Sequence, residues 1–303
     1  ADWKKISPAY VAFNLTADSF KPDKEKDNEA EPVQAEAAPE ISDSIRTYLS
    51  YTRWAEEAAE SGYGRNSKAG KYLHLPDADL YYEVYGSGQP LLLLHGNGAS
   101  VSSFYRQIPE LAKHYRVIAV DTRAQGKSTD ASTAPLTYDK FAMDMKHLLD
   151  SLHIKQTSIL GWSDGGNTGL IMAAKYPAYV KGLITMGAVT SPQCVDPGLL
   201  NQFKKDLDKM ADTAGAGSGK RLLTLLLNEP HITTAELESI KAPVLVMAGE
   251  KDVVKPEHTR QIAGHLKQAR LIIIKGATHY APQEKPEEFN KAVLDFLENS
   301  NLK

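Results

Sequence analysis

The sequence predicts an α/β fold, a mostly parallel, doubly wound sheet that starts with an antiparallel hairpin and carries a small inserted helical lid. Three observations predict it. From Lys71 onward, short apolar runs of four to six residues recur between stretches of helical periodicity. The runs are rich in Val, Ile and Leu and hardly alternate with polar residues, as expected of strands covered on both faces. Ahead of them, two alternating segments flank the turn-forming Pro76-Asp77-Ala78-Asp79.

The hairpin strands are expected at residues 72–75 and 80–85. Buried strands follow at 90–94, 116–120, 156–160, 182–186, 244–248 and 270–274, with helices at 102–114, 137–152, 165–176, 256–268 and 286–299. The stretch from about 188 to 241 interrupts this rhythm where a single crossover helix would suffice, so it reads as an insertion. Within it Leu199, Leu200, Phe203, Leu207 and Met210 form one helical stripe, and Arg221 to Leu227 reads as a second helix that stops before Pro230. Two such helices over a sheet edge would make the lid.

Residues 1–70 differ in kind. They hold nine Lys/Arg against thirteen Asp/Glu, whereas the rest of the chain holds twenty-six against twenty-five. About residues 21–40, three prolines and ten charges accompany one large aliphatic residue, Val33, too little apolar surface to offset the entropy of ordering. That stretch reads as a linker. Residues 41–60 carry Ile41, Ile45, Tyr48, Leu49 and Thr52 on one helical stripe, so a helix is expected there. The division is therefore an acidic N-terminal extension at 1–70 and one large domain at 71–303. The extension is expected either to contact a partner or to pack on that domain.

Composition excludes several functions. No apolar run approaches the roughly 18 residues of a membrane-spanning helix. The single cysteine, Cys194, can form no internal disulfide and no Cys-based metal site, and no His/Asp/Glu cluster has metal-ligand spacing. A net charge of -3 and a pI near 6.3 give no basic footprint for nucleic acid. Gln125-Gly126-Lys127-Ser128 ends like a phosphate loop, but Asp121 stands where that motif needs glycine. The chain starts with Ala1, no signal peptide is visible, and an acidic, proline-bearing stalk suits an exported bacterial enzyme. A periplasmic or secreted location is favoured over a cytoplasmic one.

The chemistry is carried by Gly161-Trp162-Ser163-Asp164-Gly165-Gly166, a strand running through G-x-S-x-G into a helix. In that setting Ser163 occupies a strained turn that lifts its hydroxyl clear of the backbone. A serine hydroxyl needs a positioned base, and the base needs an orienting carboxylate. His279 follows the last strand at its C-terminal end, where catalytic groups of such sheets gather. Asp252, in Gly249-Glu250-Lys251-Asp252 after the preceding strand, is the first choice of acid, with Glu250 and Asp196 as alternatives. The oxyanion would be held by the backbone N–H groups of Asp164 and of Asn97, the latter in Leu94-His95-Gly96-Asn97-Gly98. His95 reads as a brace for that loop. Trp162 and Asp164 flank the serine and are candidates for touching substrate.

Taken together, HGNG, GWSDGG, GEKD and GATH across residues 72–298 resemble the α/β-hydrolase superfamily, as does Asp121-Thr122-Arg123-Ala124-Gln125-Gly126-Lys127-Ser128, which departs at Ala124 where glycine is usual. The resemblance implies a serine hydrolase of small to medium carboxylic esters that needs no cofactor. The elbow and its helix are similar to the valacyclovir hydrolase branch, α-amino-acid ester hydrolases in which the acid beside the nucleophile reads the substrate's amino group. Asp164 holds that place. Two other readings keep the same residues: hydrolysis of an amide, lactone or carbon–carbon bond, and a slow-turnover ligand receptor.

Overall fold

The computed structural model describes residues 53–210 and 217–300. Linker 21–40 and helix residues 41–52 of the sequence reading lie outside the described residues, whereas residues 53–60 are helical (α1).

An eight-stranded sheet organises the molecule in the order β1-β2-β4-β3-β5-β6-β7-β8. Strands β1 (Gly70–Leu75) and β2 (Ala78–Tyr85) pair antiparallel across a two-residue turn at Pro76 and Asp77, and β2 pairs antiparallel with β4 (Arg116–Val120). The remaining pairs are parallel, through β3 (Pro90–Leu94), β5 (Thr157–Trp162), β6 (Val180–Met186), β7 (Val244–Gly249) and β8 (Ala269–Ile274). The expected fold class is therefore the observed one.

The absence of alternation in the strands has a direct cause. Successive side chains point to opposite faces, and both faces of the central strands are covered, whereas the edge strand β8, expected to be buried, buries only Ile274. Leu92, Leu94, Ile118 and Val120 belong to one core, whereas Leu91, Leu93, Val117 and Ala119 belong to the other. All four leucines of β3 are fully buried, each worth about 1.5–3 kcal/mol of transfer free energy. Helices α3 (Tyr138–Ser151) and α4 (Asp164–Lys175) cover the first face, and α10 (Pro286–Asn299) covers the second with Phe289, Val293, Phe296 and Leu297.

Two further expectations need correction. The helix expected at 102–114 is a 3-10 turn, Val101–Phe104, followed by a short α2, Ile108–Leu111, with Pro109 in its first turn. Proline restricts the residue before it and lacks the amide that would continue an earlier helix. Between β6 and β7 the described residues form three α-helices, α5 (Pro197–Lys209), α6 (Gly217–Asn228) and α7 (Thr234–Ser239), not two. The third is held by a capping box in which Thr233 and Glu236 bond each other's backbone N–H, and it packs on α4 and on α8 (Pro256–His265). Helix α6 is tied to the body through Asp130, which receives both Arg221 (2.7 Å) and the buried Arg123 (2.9 Å).

Candidate active site

Strand β5 delivers Ser163 into α4 with φ 55° and ψ -116°, a left-handed conformation that a non-glycine residue holds only when its surroundings enforce it. The enforcement is visible. A Cβ on Gly161 would strike the carbonyl of Gly165, and one on Gly165 would strike the carbonyl of Leu94. The Ser163 N–H donates to the carbonyl of Met186 at 2.7 Å, which fixes the turn against β6.

His279 lies on the loop between β8 and the short helix α9 (Ala281–Glu284), and it is buried. Its Nδ1 is 2.7 Å from Asp252 Oδ1, which stands on the loop after β7. Asp252 accepts further bonds from the N–H groups of Val254 (3.0 Å) and Gly249 (3.4 Å). Burial alone would raise the Asp252 pKa, but the neighbouring imidazole and these donors hold it below its ordinary value. Burial likewise disfavours charge on His279, yet the Asp252 carboxylate, with a smaller push from Asp164, raises its pKa above the ordinary 6.5. Glu250 instead accepts the Gly276 N–H at 2.8 Å, and Asp196 caps α5 through Leu199 N–H. Neither alternative acid meets the imidazole.

Asn97 and Asp164 stand side by side. The Asn97 Nδ2 donates to Asp164 Oδ2 at 2.9 Å, while Tyr138 Oη donates to Asp164 Oδ1 at 2.6 Å. Tyr138 was not foreseen, since an aromatic at the start of a helix carries no signal of its contact with the elbow. Burial pushes the Asp164 pKa up to about 6 against these two bonds. Neither the Asn97 nor the Asp164 backbone N–H has an acceptor among the described residues. Behind them His95 braces the loop as expected: its Nε2 accepts Thr122 N–H at 3.0 Å, its Nδ1 donates to Gly96 O at 2.7 Å, and burial lowers its pKa to about 4. Trp162, expected near substrate, spends its only N–H on the carbonyl of His279 at 2.8 Å.

Ser163, His279, Asn97, Asp164 and Trp162 all line one cavity of about 620 Å³, a volume suited to a small or medium molecule. Leu199, Leu200 and Phe203 of α5 and Leu226 of α6 form part of its apolar wall, and Gly187, just beyond β6, approaches the imidazole from behind.

Comparison with known proteins decides the family. Residues 89–235 match the α/β hydrolase fold model. The serine hydrolase BPHL of Mus musculus is 30% identical over 247 residues, covering 72% of this chain and 83% of that protein. The chain belongs to the α/β-hydrolase family. A 2-hydroxy-6-oxononadienedioate/2-hydroxy-6-oxononatrienedioate hydrolase of Paraburkholderia phymatum is 30% identical over 286 residues, covering 80% of this hydrolase and 96% of the relative. A solved hydrolase structure from Pseudomonas aeruginosa PA01 superposes with a TM-score of 0.65 at 24% identity, covering 77% of this chain and 99% of that one. The last likeness concerns the fold alone. Two stretches outside the matched segment 89–235 also line the cavity of this α/β-hydrolase: one between Trp54 and Arg65 ahead of it, and one after it that includes His279 and Tyr280.

Proposed function

We propose that this protein is a serine esterase that cleaves small to medium carboxylic esters through an acyl-enzyme. The observation that carries the reading is the His279 Nδ1 to Asp252 bond, which leaves Nε2 as the basic atom of an imidazole lining the same cavity as Ser163. Nε2 takes the hydroxyl proton as Ser163 Oγ bonds to the ester carbonyl carbon. The oxyanion is held by the unengaged N–H groups of Asn97 and Asp164, each worth on the order of 3 kcal/mol. Collapse breaks the ester C–O bond, and the proton on Nε2 passes to the leaving alcohol. Water, deprotonated by the same Nε2, then releases the acid and restores Ser163. The insertion that holds α5 and α6 serves as the lid, since both helices contribute wall residues.

A specific observation favours a second reading, in which the acyl group carries a free amine. The buried Asp164 carboxylate lines the cavity and, among the described residues, takes one hydrogen bond on each oxygen, both from neutral donors. An ammonium would complete it and draw its pKa back down.

The test is labelling by a fluorophosphonate and turnover of a panel of acyl and aminoacyl esters. Ser163→Ala should lose both, and full labelling of that variant would refute the esterase reading. Asp164→Asn keeps the backbone N–H and removes the charge. Equal loss on acyl and aminoacyl esters would remove the amine-reading role.

A further inference from the structure

The segment ahead of β1 is fastened to the catalytic domain at three separate points. In α1, Glu57 Oε2 accepts from Arg106 (2.6 Å) and from Tyr105 Oη (2.7 Å), and these donors hold its carboxyl down at about 2. Trp54 stacks on Tyr280, the residue after His279, with ring centroids 5.9 Å apart and planes 27° from parallel. Tyr280 in turn meets Trp162 edge-on at 5.5 Å, so an aromatic series runs from α1 to the residue before Ser163.

The third fastening is the most telling. Glu83 on β2 is fully buried, a position that a carboxylate tolerates only when its oxygens are satisfied. Two of its hydrogen bonds come from Tyr81 Oη (2.6 Å) and Tyr85 Oη (2.7 Å). The other two come from the main chain of the leading segment, Gly64 N–H (2.8 Å) and Asn66 N–H (2.9 Å). Gly64 has φ +77°, which turns the chain so that both amides can face the one carboxylate. The main chain at residues 64 and 66 thus supplies two of the four hydrogen bonds that Glu83 accepts.

What this anchored segment covers is the reaction cavity. Trp54, Ala55, Ala58, Ala59, Tyr63 and Gly64 line the same space as Ser163 and His279, and Ala58 is itself buried. These residues are apolar or aromatic, with Glu56 and Arg65 of the same segment as the charged part of the lining, and they share the cavity with the leucines and Phe203 of the insertion. We propose that residues 53–66 form a strap, a second specificity wall outside the matched family segment, with Trp54 selecting esters that bear an apolar arm such as a benzyl group. The proposal rests on the esterase reading of the cavity.

The strap excludes water from one side of the bound ester and offers a rigid aromatic face, so an apolar arm gains from burial whereas a methyl group cannot reach it. The selectivity therefore lies in the ratio of kcat/KM for a larger ester over a smaller one. Two series of esters on the full chain read this ratio: benzyl against methyl alcohols of one acid, and hexanoyl against acetyl groups on one alcohol. Trp54→Ala should lower the ratio about tenfold in at least one series, mostly through KM, and Trp54→Phe should restore much of it. Glu57→Gln, which loosens α1 without touching the cavity wall chemistry, should shift the same ratio in the same direction.

If Trp54→Ala slows both members of each pair equally, or leaves all four esters as in the wild type, the strap is only structural and the proposal fails. Melting temperatures of each variant identify any that do not fold. The esterase reading is judged separately, by fluorophosphonate labelling of Ser163 in the wild type. Labelled protein with unchanged ratios would overturn the strap alone.

Discussion

The indole N–H of Trp162 donates to the main-chain carbonyl of His279 at 2.8 Å, so the residue before Ser163, the proposed nucleophile, is tied to the proposed base by one hydrogen bond across the sheet. Strands β5 and β8 are not neighbours, with β6 and β7 between them. The bond therefore fixes the His279 loop relative to the elbow where no strand pairing could. Replacing Trp162 by Phe should lower kcat about tenfold with little change in KM, because loss of alignment acts on the reacting geometry. Thermal denaturation should show a loss of about 1 kcal/mol for the missing bond. Steady-state kinetics that moved KM alone would assign Trp162 to substrate contact instead.

With His279 as the proposed base, its titration should set the pH profile. Its pKa is raised above 6.5, chiefly by the Asp252 charge acting against burial, and only the neutral imidazole is a base. Activity should therefore fall as pH drops, with the midpoint of kcat/KM above pH 6.5. Asp252→Asn removes the opposing charge, so burial dominates, the midpoint moves down, and kcat falls by about 10⁴. Asp164→Asn should move the midpoint down by less. For stability the signs combine: the raised His279 favours the fold at low pH and the lowered Asp252 favours it at high pH. Wild type should exceed Asp252→Asn in Tm most between about pH 4 and 6.5.

Gly187 leaves no room for a side chain beside the imidazole. It has φ 64°, and a Cβ there would lie 2.5 Å from His279 Cε1 and 3.3 Å from Asp252 Oδ2. Gly187→Ala should push the ring off its bond with Asp252 and lower kcat/KM by about 10² or more. Fluorophosphonate labelling rates should fall in parallel, and an unchanged rate would show that the loop absorbs the methyl group.

Ala124 sits at φ 64° in the loop where the family resemblance has glycine. A left-handed alanine costs about 1–2 kcal/mol, partly offset by the greater freedom glycine has when unfolded. Ala124→Gly should raise Tm by about 1–2 °C, read by calorimetry. The neighbouring Gln125 bridges Gly98 N–H and Thr122 Oγ1, so the substitution also tests how firmly this loop braces the segment that holds Asn97.

How much was legible follows from which physics was local. All eight strands, the elbow and the residues at strand ends were readable because alternation in the hairpin, apolar runs in the parallel strands and the Gly-x-Ser-x-Gly spacing are written in consecutive residues. The break at Pro109 was readable in principle, since the proline stood in the expected helix. Tyr138 against Asp164, and Gly64 and Asn66 against Glu83, were not readable. Each joins residues that lie 17 or more positions apart, and nothing in either partner's immediate sequence marks the pairing. Residues 53–66 look like the tail of an acidic stretch until Glu83 is seen buried beneath them.

The two cavity-lining helices of the insertion are held very unequally. Helix α6 buries Leu222, Leu223 and Leu225 and is moored through Arg221 to Asp130, whereas α5 buries only Phe203. Local opening requires little apolar surface to be exposed in α5 and much more in α6. Amide hydrogens of α5 should thus exchange well ahead of those of α6, and any breathing that admits substrate past the insertion should begin at Pro197–Lys209, with α6 as its fixed doorpost.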